Sequence, residues 1–92
     1  MEIKKIHSFL RKNNFLEDNR DGSFSKRVDS VLKKYRFKDN GIFVEVKRNE
    51  LEDFQLIAYG DIRNTYINEK GQISGLKRAV PEYSKLLKEI DA

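Results

Sequence analysis

Ninety-two residues make one domain, close to the size at which a single hydrophobic core becomes adequate. Apolar residues (38%) only balance charged ones (37%), and no apolar run reaches the roughly 18–20 residues needed to cross a bilayer, so no membrane role is expected. The chain has no cysteine, which excludes disulfide and thiolate–metal chemistry. It opens Met-Glu-Ile-Lys-Lys without the apolar segment of a signal peptide, and the expectation is a cytoplasmic protein.

The net charge of +4 is carried by residues 1–46, with 11 Lys/Arg against 7 Asp/Glu; residues 47–92 hold 8 of each. The excess peaks at Lys26–Lys38, six basic residues to one acid. Such a half favours phosphate-rich partners, the plain alternative being a solvated lysine-rich surface.

In chain order, Ile3, Ile6 and Leu10 recur at helical spacing, which predicts a helix over 2–13 stopped by Asn13-Asn14. His7, the only histidine, lies on its apolar side and reads as a packed residue. Phe15-Leu16 begins a short strand. The following Glu17–Ser25 stretch resembles part of an EF-hand calcium loop, but Val28 stands where a bidentate Glu is required, so a turn between strands is preferred. Lys26–Phe37 fits either a helix, through Val28, Val31, Leu32 and Tyr35, or a strand over Arg27–Lys33. Lys38-Asp39-Asn40-Gly41 is a turn, and Ile42–Arg48 is the clearest strand. Asn49 and Glu52 make a capping box for a helix over Glu50–Tyr59, with Gly60 past its end; Phe54–Tyr59 also passes for a strand. Ile62–Asn68 reads as a strand closed by a Glu69-Lys70-Gly71 turn. Pro81 starts a final helix with Tyr83, Leu86, Leu87 and Ile90 on one face.

Side chains two apart on a strand share a face, so Glu45 and Lys47 project together while Ile42, Val44 and Val46 face the core. Arg27-Val28-Asp29 lies upstream, and Gln55 and Tyr59 fall at i, i+4 on the expected helix. With Val44-Glu45-Val46-Lys47 and Gln55-Leu56-Ile57-Ala58-Tyr59, this order resembles the PD-(D/E)xK, restriction-endonuclease-like nuclease superfamily. The closer likeness is to its RecB-like and type I restriction branches, over about a third of the chain.

The resemblance implies an α+β domain spanning residues 1–92. It would have an N-terminal helix, a central mixed or antiparallel sheet of three or four strands, a helix after the Glu-x-Lys strand and a C-terminal helix. It implies a Mg²⁺- or Mn²⁺-dependent endonuclease acting on DNA, with RNA as a further substrate. Asp29, Glu45 and the Val46 carbonyl would hold the metal, Lys47 would position the attacking water, and Gln55 and Tyr59 would orient the site. Lys4, Lys5, Arg11, Lys12 and Arg27 would collect nucleic acid non-specifically. At this length, a homodimer or larger assembly is expected to complete the enzyme.

The scheme depends on the connection between strands. Asp29 faces Glu45 only if the chain from Lys33 to Gly41 is a wide loop; a tight turn at Asn40-Gly41 carries Asp29 away along the strand. Two alternatives stand beside the nuclease: a non-catalytic basic nucleic-acid-binding module, and a small inhibitor or antitoxin-like protein that binds another protein.

Overall fold

A computed structural model of the chain describes residues 1–79. One helix, α1 (Ile3–Lys12), packs on an antiparallel meander whose strands are β1 (Leu16–Asp18), β2 (Ser23–Val28), β3 (Val31–Lys38), β4 (Gly41–Lys47) and β5 (Gln55–Asp61). A 3₁₀ turn (Ile62–Asn64) leads to a two-stranded hairpin, β6 (Tyr66–Ile67) and β7 (Ile73–Ser74). The chain then returns as β8 (Lys77–Arg78) to pair with β5, giving a six-stranded sheet in the order β1-β2-β3-β4-β5-β8.

This architecture corrects the expected one. The sheet has six strands rather than three or four, and β4 is followed by another strand, not by a helix, so the core is not restriction-endonuclease-like. Asn49 and Glu52 do provide capping chemistry, but it closes a single turn. Asn49 Oδ1 accepts from Leu51 N at 2.9 Å, and Glu52 Oε2 accepts from Arg48 N at 3.1 Å. Beyond that turn the free edge of β4 offers residues 55–61 a ladder of hydrogen bonds, and pairing overrides the local helix signal. Ile62–Asn68, expected as one strand, is instead the 3₁₀ turn and the short β6. The final helix expected from Pro81 lies outside the described residues. Among the described residues no helix is long and apolar enough to cross a membrane.

Local chemistry explains the elements that match. Helix α1 ends in a Schellman arrangement at Asn13-Asn14: Phe15 N donates to Leu10 O at 3.0 Å, Asn14 N to Arg11 O at 3.1 Å, and Asn14 takes φ 67°. Arg11 and Lys12 in its last turn complement the helix dipole. The β2–β3 and β3–β4 hairpins turn on Asp29-Ser30 and Asp39-Asn40. Asp29 and Asp39 take the left-handed backbone, at φ 56° and 55°, which aspartate tolerates better than most residues.

The core lies between α1 and one face of the sheet. Ile6, Leu10, Phe24 and Ile42 are fully buried, with Val44, Tyr35 and Ile62 nearly so. Burying each of the four contributes roughly 1.5–3 kcal/mol. The Met1 α-amino group donates to Ile62 O at 2.7 Å and Thr65 O at 2.9 Å, fixing the start of α1 against the 3₁₀ turn. Helix α1 covers only this inner face; the outer face of the sheet carries no helix among the described residues.

Candidate functional site

Glu45 and Lys47 share the outer face of β4 with Phe43, and Ile42 and Val44 enter the core, as strand alternation requires. The β3–β4 register sets Lys34 opposite Glu45, with the hairpin closed tightly at Asp39-Asn40. Asp29, exposed in the β2–β3 turn, is then five residues beyond Lys34, about 17 Å away at strand rise. The two carboxylates do not share a cation. Glu45 instead receives a hydrogen bond from Arg36 Nε at 2.6 Å, and Lys47 lies 3.5 Å from Glu50.

Gln55 and Tyr59 stand on β5, not on a helix. A β-bulge between Val44 and Glu45 on one side and Ala58 and Leu56 on the other leaves Ile57 without an opposite number. That extra residue reverses the alternation. Gln55 faces inward opposite Val46, whereas Tyr59 faces outward opposite Phe43. Among the described residues no three His, Asp or Glu side chains gather as a metal site, and the Asp29–Glu45–Val46 set does not fit Mg²⁺.

What the outer face does assemble is a basic and aromatic surface. Paired residues share a face, so Arg27 and Leu32, then Lys34 and Glu45, Arg36 and Phe43, Leu56, Tyr59 and finally Lys77 lie side by side across β2, β3, β4, β5 and β8. The Arg36 guanidinium sits 4.8 Å from the Phe43 ring centroid. Lys34 and Lys47 Nζ each lie 4.8 Å from the centroid of Phe54, which folds back over this face from the turn before β5. Tyr59 is 40% exposed, with Leu56 alongside at 41%.

The acids here are engaged. Glu45 is held by Arg36, and Asp21 lies 3.8 Å from Lys34. At the end of β5, Asp61 accepts from Arg63, which holds its carboxyl down to about 2. At the opposite rim, Arg20 likewise holds the Asp18 carboxyl below its ordinary value. Of the cations on this face, Arg36 is met by Glu45, Lys34 by Asp21 and Lys47 by Glu50, whereas Arg27 and Lys77 have no acid partner among the described residues, so the face keeps a positive excess.

The cations expected to collect nucleic acid divide between two sides. Lys4, Lys5 and Lys12 are exposed on α1, and Arg11 pairs with Glu17 at 3.2 Å while lying over Phe24. Arg27 is three residues from the core residue Phe24, hence on the opposite face of the sheet. Lys34, Arg36, Phe43 and Phe54 were not singled out from the sequence. For Lys34 and Arg36 the signal is the alternation Leu32/Lys34/Arg36/Lys38 against Val31/Lys33/Tyr35/Phe37, inside the most basic stretch of the chain; Phe43 follows from the alternation of β4, and Phe54 has no local signal. No protein family, curated protein or solved structure matches the chain.

Proposed function

We propose that this domain is a non-catalytic nucleic-acid-binding module that lays single-stranded nucleic acid across the helix-free face of its sheet. The observation that carries this reading is the Arg36–Phe43 stack beside exposed Tyr59, flanked by Lys34 and Lys47. Aromatic and guanidinium planes accept bases by stacking whatever their sequence, and neighbouring ammonium groups take the phosphates. An open sheet suits unpaired bases better than duplex, because this face presents no helix for a major groove.

The test is fluorescence anisotropy of a labelled twelve-nucleotide oligothymidylate in EDTA, between 50 and 200 mM salt. Binding is expected to weaken with salt at a log–log slope of about −2, the value for roughly three displaced counterions on a single strand. Arg36→Ala combined with Lys47→Ala should weaken it at least tenfold. Salt-independent binding, or none by the folded protein, overturns the reading. Repeating the incubation with Mg²⁺ and following strand length addresses cleavage, for which Asp29 and Glu45 stand too far apart to cooperate.

A further inference from the structure

The inner face holds two charges that the core does not explain. Lys26 and Lys33 are direct partners in the β2–β3 register, on the side of the sheet that carries Phe24 and Tyr35. Like charges placed opposite each other destabilise a strand pair. Both side chains border a cleft of about 400 Å³ between the end of α1 and the β6–β7 hairpin, a volume typical of small-ligand sites. Its walls mix apolar side chains, Phe15, Tyr35, Ile57 and Leu76 among them, with polar ones, Asn13, Lys26, Lys33 and Gln72.

Neither lysine has a carboxylate partner among the described residues. Lys26 Nζ donates to Asn13 O at 2.9 Å and lies 5.7 Å from the Phe15 ring centroid. Lys33 Nζ lies 5.4 Å from the Tyr35 centroid, and burial lowers the pKa of its ammonium group. Lys33, partly desolvated, opposite another lysine and without a carboxylate partner among the described residues, carries an electrostatic cost that a bound anion offsets. Two lysines lining one cleft together with Phe15, Tyr35, Ile57 and Leu76 fit a ligand with an anionic head and an apolar body.

We propose that this cleft binds a small amphipathic carboxylate, its head between the Lys26 and Lys33 ammonium groups and its apolar body against Phe15, Tyr35, Ile57 and Leu76. The site lies on the opposite side of the sheet from Arg36 and Tyr59, so it stands independently of nucleic-acid binding.

The experiment is calorimetric titration of the full chain with sodium decanoate below its micellar concentration. 1-Decanol serves as the neutral analogue and inorganic phosphate as a head without a body. Decanoate is expected to saturate at one per chain, with decanol and phosphate at least tenfold weaker. Lys33→Met should weaken decanoate at least tenfold and leave both decanol and oligonucleotide affinity unchanged. Lys26→Met, at the more open side of the pair, supplies the same comparison if Lys33→Met does not fold. Decanoate binding no better than decanol, unsaturable binding, or wild-type affinity in both lysine variants overturns the proposal.

Discussion

Arg36 Nε donates to Glu45 Oε1 at 2.6 Å, diagonally across the β3–β4 hairpin. This contact turns the one acid at the middle of the basic face into a clamp for the guanidinium that lies over Phe43. Glu45→Gln keeps the shape and removes the charge. Arg36 is 41% exposed but Glu45 only 15%, so the stability loss should be about 1–2 kcal/mol in urea unfolding. Oligonucleotide affinity should rise by about threefold or more, because the local potential becomes more positive. A metal ligand at this position would give the reverse result, loss of function.

Tyr59 offers a ring that is 40% exposed and has no hydrogen-bond partner among the described residues. Tyr59→Ala should leave the unfolding midpoint nearly unchanged and weaken single-strand binding by roughly 1–3 kcal/mol, the range for losing one base–aromatic stack. Tyr59→Phe should bind as the wild type. Anisotropy titrations at fixed salt distinguish the two.

Asp29 occupies the left-handed corner of the β2–β3 hairpin at φ 56°. Asp29→Gly removes the side-chain strain but adds freedom to the unfolded chain, so the net change should stay within about 1 kcal/mol. Oligonucleotide affinity should be unaffected. Unfolding curves and anisotropy on the same preparation check both statements.

His7 sits between two rings, 4.8 Å from Phe24 and 5.0 Å from Phe37 by centroid, and its buried Nε2 has no hydrogen-bond partner among the described residues. Burial, and secondarily the nearby Arg11, lower the imidazole pKa, with Glu17 opposing. The unfolded chain therefore takes up the proton first. Stability should be unaffected by this group above the ordinary histidine value of about 6.5, fall as pH drops through it, and level off below the folded value. His7→Phe should remove the fall between pH 7 and 5, measured by urea midpoints. A separate fall below about pH 4 should persist in the variant, because Asp18, Asp21, Glu52 and Asp61 all have lowered pKa values.

Gly75 takes φ 89° and passes so close to the backbone of Asn64 and Thr65 that a Cβ would meet the Asn64 carbonyl. Gly75→Ala should cost more than about 2 kcal/mol, because the opposing atoms are backbone and cannot rotate away. Hydrogen exchange should show the loss first in the hydrogen bond from Ala79 N to Ile57 O, which closes the β5–β8 edge.

Much of the fold was legible where one local signal acted alone. The Ile3/Ile6/Leu10 stripe and the Asn13-Asn14 stop give α1, and the apolar alternation of residues 42–46 gives β4. The strand proposed over Arg27–Lys33 is split by the turn at Asp29-Ser30, since aspartate there bends the chain as readily as it charges a strand. Of the two readings of residues 50–59, the strand over Phe54–Tyr59 holds, as β5, and the helix does not, because a capping box reports only on its first turn and the exposed edge of β4 that decides between them is invisible in local sequence. The bulge at Ile57 is a tertiary event too, and it is what separates Gln55 from Tyr59. Glu45 and Lys47 do share a face, but the second carboxylate depended on a turn position. The hairpin closes at Asp39-Asn40, tightly enough to carry Asp29 out of reach.

On the reading proposed above, nucleic acid lies on the helix-free face. An amide NMR titration of the full chain with twelve-nucleotide oligothymidylate, in EDTA at 50 mM salt, tests it residue by residue. Shifts are expected to concentrate at Lys34, Arg36, Phe43, Lys47 and Tyr59, with Lys4, Lys5 and Lys12 of α1 little moved. Shifts confined to α1, or a spectrum unchanged at saturating oligonucleotide, would contradict it.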